Sequence, residues 1–308
     1  MDLLKQLCAI ASPSGDEGPM RDFILEYVRR HSDSWAVTPR IIADDTLQDG
    51  VLLVFGTPRT AVFAHMDTVG FTAAYDDRLV RIGGPAAVDG ALLAGADDSG
   101  PVECRLTVIS GRRGAPDDLR YRCERPIERG TPLSYKPDFR DEGDWITCSA
   151  LDNRVGLWNA LRLAETLRDG AIAFSTYEEA GGGTVGVLAE RLWREFGVRQ
   201  ALISDVTWAT EGVHFGEGVA VSMRDSGIPR RSWLRRIVAF VRESGVSFQL
   251  EVESAGGSDG NQLQRSPFPF DWCFIGPPSD GVHGPDERVH RGDVMAMRDL
   301  YRYLMERL

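Results

Sequence analysis

The stretch AIAFSTYEE, residues 171–179, decides the fold because a buried-strand pattern runs directly into two acidic residues. The mostly apolar residues 171–177 are followed by Glu178 and Glu179, and a helical pattern occupies residues 184–196. A short apolar run that precedes a helix is typical of a strand in an α/β sheet. Ligands of such sheets bind outside the carboxyl ends of the strands, so the two glutamates mark the edge where a site is expected.

The same alternation of strand and helix extends over most of the chain. The patterns predict strands at residues 51–55, 61–64, 171–177, 201–204, 248–252 and 271–275, and helices at 155–167, 184–196, 232–243 and 293–308. We therefore expect an α/β fold with a mixed, mostly parallel sheet flanked by helices.

One segment differs in composition from the rest. Residues 70–148 are rich in glycine, proline, aspartate and arginine and contain no long helical pattern. Turn signals between short apolar runs predict a small all-β domain. We expect it to be inserted into a catalytic α/β domain formed by residues 1–69 and 149–308.

Composition excludes several classes of function. A net charge of −11 disfavours nucleic acid and anionic membranes as partners. No apolar run approaches the ~18 residues of a membrane span, and the start of the chain has no basic segment of a secretory signal. The five cysteines are scattered and odd in number, which argues against a disulfide framework. These features predict a cytoplasmic protein.

Histidines and carboxylates stand at the ends of several predicted elements. The candidates are His65 and Asp67 after residues 61–64, Asp152 before the helix at 155–167, Glu178 and Glu179 after residues 171–177, Asp205 after residues 201–204, and His283 in the loop after residues 271–275. Each has an ordinary alternative explanation, such as a helix cap for Asp152 or solvated glutamates for the pair. Their joint placement at one rim favours a common site.

Two imidazoles and three carboxylates suit zinc, cobalt or manganese. One carboxylate can bridge two ions about 3.5–4 Å apart, as in two-metal hydrolases. A further carboxylate that does not bind metal can act as the general base. Adjacent Glu178 and Glu179 suit this division, and Asp67 can accept the second ring N–H of His65.

The chain resembles the M42 family of metallo-aminopeptidases, within the wider clan of two-metal exopeptidases. The matching segments, in the family's order, are residues 64–70 (AHMDTVG), 150–156 (ALDNRVG), 176–179 (TYEE), 203–207 (ISDVT), 256–259 (GGSD) and 283–287 (HGPDE). The string LDNRVG is the most specific of them.

The resemblance implies a role for each candidate. Asp152 would bridge two divalent ions, Glu179 and His283 would complete one metal site, His65 and Asp205 would complete the other, Glu178 would be the base, and Asp67 would support His65. The peptide between Asp152 and Asn153 would be cis. Zinc is the expected metal, with cobalt and manganese as alternatives. The substrate would be a peptide whose free amine is read by a carboxylate, for which Asp259 and Glu178 are candidates.

The resemblance also implies a zinc-exopeptidase-like fold and homo-oligomers, from dimers up to dodecamers, assembled through the β insertion. Departures from the family lie at residues 180–183 (AGGG), at Thr68 and in the short insertion. The nearest alternative is an M20-type metallo-carboxypeptidase, dipeptidase or deacylase. A non-catalytic module with this fold is a further alternative, and residues 181–183 as a phosphate loop are disfavoured by the missing lysine.

Overall fold

The structure is a computed structural model that describes residues 1–110 and 117–308. The strands are β1 Arg40–Ile42, β2 Val51–Phe55, β3 Thr60–His65, β4 Gly70–Ala73, β5 Leu79–Ile82, β6 Leu92–Asp97, β7 Gly100–Ile109, β8 Asp118–Arg122, β9 Pro132–Tyr135, β10 Arg140–Glu142, β11 Trp145–Cys148, β12 Gly170–Ser175, β13 Gln200–Ser204, β14 Thr207–Trp208, β15 Val219–Arg224, β16 Phe248–Val252, β17 Asp271–Gly276, β18 Pro278–Asp280 and β19 Glu287–His290. The helices are α1 Asp2–Cys8, α2 Gly18–His31, α3 Leu151–Ala164, α4 Val185–Phe196, α5 Arg231–Ser244, α6 Asp259–Arg265 and α7 Arg291–Met305.

The largest sheet has eight strands in the order β1-β2-β12-β3-β13-β17-β15-β16. Its centre is parallel, because β12, β3, β13 and β17 run in the same direction. The pairings of β2 with β12 and of β15 with β17 are antiparallel. The predicted mixed α/β fold is therefore confirmed, and its parallel centre brings several strand ends to one edge.

Helices cover both faces of this sheet. Side chains of a strand alternate between faces, so Val62 of β3 belongs to the apolar cluster that includes residues of α1, α2, α3, α5 and α7, whereas Phe63 belongs to the cluster that includes residues of α4 and α6. Both side chains are fully buried, and burial of such groups stabilises the fold by about 1.5–3 kcal/mol each. The double burial explains why the central strands are almost wholly apolar.

Strands β4 to β9 form a separate antiparallel sheet in the order β5-β4-β9-β6-β7-β8. Its own apolar cluster includes Phe71, Leu93, Leu106 and Leu133. The division of the chain into domains stays a prediction. Near its predicted boundary at residue 148, the strands pair with a segment outside the predicted insertion.

A third sheet has the order β10-β11-β19-β18-β14. Strands β10 and β11 fall within the predicted insertion at residues 70–148, yet β11 pairs with β19, near the end of the chain. A pairing between segments so far apart along the chain cannot be predicted from the local sequence pattern of either strand. In the described ranges, no helix combines the length and the apolar character that a bilayer span requires.

Candidate metal centre

Three of the predicted residues lie at the carboxyl edge of the parallel centre. His65 is the last residue of β3, Glu179 follows β12, and Asp205 directly follows β13. These strands are neighbours in the order β12-β3-β13 and run in the same direction. The shared edge therefore brings together residues far apart along the chain.

Asp152 reaches the same edge through an irregular start of α3. The backbone of Asp152 and Asn153 is not helical, and the peptide between them is cis, as the resemblance implies. The amide of Asn153 donates to the Ser204 carbonyl (2.8 Å) and its carbonyl oxygen accepts from the Gly156 N–H (2.9 Å). A Cβ at Gly156 would lie 2.1 Å from the Ser204 carbonyl oxygen, so this position requires glycine.

The side chains form two groups that share Asp152. His65 Nε2 lies 3.1 Å from Asp152 Oδ1 and 3.5 Å from Asp205 Oδ2. On the other side, His283 Nε2 lies 3.1 Å from Glu179 Oε2 and 3.5 Å from Asp152 Oδ2. Within each group the possible ligand atoms all lie within 4.8 Å of one another. The structure thus brings together all five residues that the sequence nominates as ligands.

The arrangement fits a pair of divalent cations. Each oxygen of Asp152 faces a different group, as a bridging carboxylate would. The Glu179 side chain is only 5% exposed and its Oε1 has no hydrogen-bond partner in the described chain. A buried carboxylate oxygen without a partner is costly, and a cation would supply the missing interaction. Imidazole and carboxylate donors suit zinc, cobalt or manganese.

Charges within the cluster perturb its titration strongly. Burial opposes protonation of His65, but Asp205, Asp152 and Asp67 outweigh it and raise its pKa well above the usual value. Burial likewise opposes a charge on His283, yet Asp152 and Glu179 raise its pKa to about 11. Burial and the neighbouring Asp152 raise the pKa of Asp205 to about 7.

Asp67 organises the two glutamates that follow β12. Its carboxylate accepts the backbone N–H groups of Glu178 and Glu179, each at 3.0 Å. His65 Nδ1 lies 3.2 Å from the main-chain carbonyl oxygen of Asp67 and 3.4 Å from its Oδ1, so Asp67 is within reach of the second ring nitrogen, as expected from the sequence. Ser14 donates to Asp67 Oδ2 (2.7 Å). Helix α2 begins after Glu17 without a side-chain cap, so Ser14 supports Asp67 and not the start of the helix.

Glu287 is a buried support that sequence reasoning missed, although it lies in the quoted segment HGPDE. Its two oxygens accept the backbone N–H groups of Asp152 (2.8 Å) and His283 (3.0 Å). The side chain is 1% exposed. One carboxylate therefore fixes the main chain at two candidate ligands, Asp152 and His283. The backbone of His283 has a positive φ of 65°.

Two further buried charges tie the start of the chain to the cluster. Glu17 accepts the N–H groups of Gly15 (2.9 Å) and Tyr177 (3.0 Å), just before Glu178. Arg154 is fully buried and donates to the carbonyls of Met66 (2.7 Å) and Ile10 (3.0 Å). Arg154 could have been singled out from the sequence because it stands in the string LDNRVG. For Glu17, the only sequence feature nearby is the turn that precedes it.

A pocket of about 220 Å³ opens beside the two groups. Glu178 lines it but belongs to neither group. Burial, more than any neighbouring charge, raises the pKa of Glu178 well above its usual value. Asp259 is buried and accepts a hydrogen bond from the Ser175 hydroxyl, so its contact with substrate stays a prediction.

Comparison with known proteins agrees with this geometry. Residues 121–300, more than half of the chain, match the family described as M42 glutamyl aminopeptidase. A proposed aminopeptidase of Acetivibrio thermocellus is 24% identical over 327 residues, which cover 95% of this chain and 94% of that protein.

Solved structures share the fold over the full length. An aminopeptidase from the archaeon Desulfurococcus kamchatkensis has a TM-score of 0.86 at 21% identity, covering 100% of this chain and 94% of its own. The TET1 peptidase of Pyrococcus horikoshii, which can assemble into a tetrahedron or a large octahedral shell, has a TM-score of 0.82 at 19% identity, covering 100% and 99%.

Proposed function

Because this chain belongs to the M42 family of aminopeptidases, we propose that it removes N-terminal residues from peptides with two divalent ions and Glu178 as general base. One observation carries the proposal. Two groups of ligand atoms share Asp152, while Glu178 lies outside both and lines the adjoining pocket. The family match favours this activity over the M20-type alternative.

The proposed roles follow from the contacts. His65, Asp152 and Asp205 would hold one ion, and Asp152, Glu179 and His283 the other. When bound, such ions polarise the scissile carbonyl and make a water molecule more acidic. Glu178 would take the proton of that water and pass it to the departing amine. Asp67 would keep Glu178 in place through the hydrogen bond to its backbone N–H.

We propose zinc as the native metal, with cobalt and manganese as alternatives, because all three accept imidazole and carboxylate ligands. A cytoplasmic location is supported by the five cysteines, which are all described and all free thiols. We also propose a homo-oligomer, since the structural relative TET1 assembles into large shells. The six-stranded sheet of β4 to β9 is the candidate contact surface.

The test separates the base from the ligands. Glu178→Gln should lower kcat by about 100- to 10,000-fold, because it removes the proton acceptor. Elemental analysis of the same variant should still find about two ions per chain, since Glu178 belongs to neither ligand group. Loss of metal together with activity would show that Glu178 is a ligand and would overturn its assignment as base.

A further inference from the structure

The lining of the pocket includes three carboxylates that belong to neither metal group and that the proposed mechanism does not use. Asp225 follows β15, Glu251 lies in β16, and Glu253 follows β16. Strands β15 and β16 are paired, and Ser222 of β15 lies opposite Glu251 in the register. We refer to these three residues as the acidic wall.

Two members of the acidic wall are buried without a compensating cation. Asp225 is 8% exposed and Glu251 is 2% exposed. Glu251 accepts a hydrogen bond from the Thr207 hydroxyl, and Asp225 accepts one from the Gly227 N–H. Arg224 is nearby, but its Nε donates to the Asp225 carbonyl, not to the carboxylate. Throughout the described ranges, neither carboxylate forms an ion pair. Burial raises the pKa of both carboxyl groups above the usual value, and a cationic ligand beside them would favour their charged forms.

The two proposed ions would leave this charge uncompensated. Their four positive charges are matched by the three ligand carboxylates together with Glu178. The acidic wall therefore adds negative charge that nothing in the pocket balances. Among the lining residues that the structure describes there is no lysine or arginine, and His283 is already assigned as a ligand.

Apolar side chains also contribute to the lining. Trp208, Phe274 and Val282 line the same pocket. An apolar surface that leads to carboxylates suits the side chains of lysine and arginine, whose methylene stems pack while their charged ends pair. At about 220 Å³ the pocket is smaller than the roughly 300–1,000 Å³ typical of drug-sized ligands, so a single residue fits it better than a long peptide.

We infer that this pocket receives the N-terminal residue of the substrate and that the acidic wall selects lysine or arginine there by binding the cationic side chain. The inference rests on the proposed aminopeptidase function. It differs from the glutamyl preference in the family's description, because a glutamate side chain would face three like charges.

The test compares matched p-nitroanilides of lysine, arginine, norleucine and glutamate on the metal-loaded enzyme. Norleucine has the carbon chain of lysine without the ammonium group. We expect kcat/KM for lysine and arginine to exceed that for norleucine by about tenfold or more, with glutamate the slowest. A norleucine or glutamate rate equal to or above the lysine rate would overturn the inference while leaving the aminopeptidase function intact.

Variants then distinguish the substrate's side chain from its α-amine. Glu253→Gln, at a partly exposed position, and Asp225→Asn should lower the ratio of lysine to norleucine kcat/KM toward one. Equal losses for both substrates would show that the wall reads the α-amine common to them, and would overturn the side-chain assignment. Glu306→Gln, whose side chain is 76% exposed, is the matched control and should keep the wild-type ratio.

If none of the substrates is hydrolysed, the proposed function is refuted, and a binding measurement then tests the specificity by itself. Lysinamide should then still raise the melting temperature more than norleucinamide does, because its binding needs only the wall. Equal shifts for the two amides would refute the specificity independently of catalysis.

Discussion

At the scale of single residues, the cluster depends on carboxylates that bind the backbone as well as on those that face the pocket. Asp67 holds Glu178 and Glu179 by their N–H groups, and Glu287 does the same for Asp152 and His283. Supports of this kind orient ligands and are often worth 10–100-fold in metal affinity. Whether a given glutamate or aspartate near the metal centre positions the backbone or faces the pocket is therefore tested by substituting that residue alone.

Glu287→Gln should weaken metal binding by about 10- to 100-fold, because one of its two backbone contacts would lose its acceptor. Competition with a chromogenic chelator measures the change. Asp286→Asn is the matched control, since Asp286 is adjacent but its side chain is 64% exposed. An unchanged affinity for Glu287→Gln would contradict the role of Glu287 as a positioning residue.

The histidines predict a pH dependence of metal uptake. In the metal-free protein, carboxylates overcome the effect of burial, raise the pKa of His65 well above its usual value and raise that of His283 to about 11. His283 is therefore protonated at pH 7, the pKa of His65 is shifted in the same direction, and a metal must displace the protons that these rings carry. We expect at least about one proton released per ion, and an apparent affinity that rises with pH.

A pH indicator in weak buffer records this release as zinc is added to the metal-free protein. Metal uptake without proton release, or an affinity that is constant between about pH 6 and 8, would contradict the assignment of the two histidines as ligands.

At the scale of elements, the sequence predicted the parts of the site that lie on the parallel strands. His65, Glu179 and Asp205 were found because β3, β12 and β13 are apolar runs that end in polar residues. The sequence did not point to Asp225, which follows β15, or to Glu251, which lies in the neighbouring β16. Because β15 is antiparallel to β17, the rule that ligands bind at the carboxyl ends of parallel strands does not apply there. The strand β15 itself was missed, as was α6.

Two helical glycines give opposite predictions for stability. Gly156→Ala in α3 should destabilise the protein by about 1–3 kcal/mol or more, since the new Cβ would lie 2.1 Å from the Ser204 carbonyl oxygen. Gly186→Ala in α4 has open space around the added methyl group and should stabilise by up to about 1 kcal/mol. Denaturant unfolding measures both, and equal effects of the two substitutions would contradict the packing described at α3.

At the scale of the whole molecule, the fold concentrates negative charge at one place in its interior. The chain has a net charge of −11, and Asp205, Glu251, Asp259 and Glu287 are all buried. Local sequence patterns did not predict this burial, because it arises where separate strands and loops converge. Bound metal ions would offset the part of it that lies at the two ligand groups, so metal loading should contribute to global stability.

Removal of metal by a chelator should lower the melting temperature by several degrees. An ion present at 1,000 times its Kd stabilises the native state by about 4 kcal/mol. Asp152→Asn lacks the shared ligand and should show no chelator effect, which makes it the control. A wild-type melting temperature that does not respond to a chelator would contradict a metal centre in the folded protein.

The Asp67 carboxylate has a consequence for the motion of the molecule. It joins the turn at Ser14 to the backbone of Glu178 and Glu179, while Glu17 from the same turn holds Tyr177. The segment 177–179 therefore cannot shift without the turn that precedes α2. A local opening of the turn before α2 would therefore also displace the backbone of Glu178. We expect the amide hydrogens of this turn and of residues 177–179 to exchange with solvent as one cooperative unit.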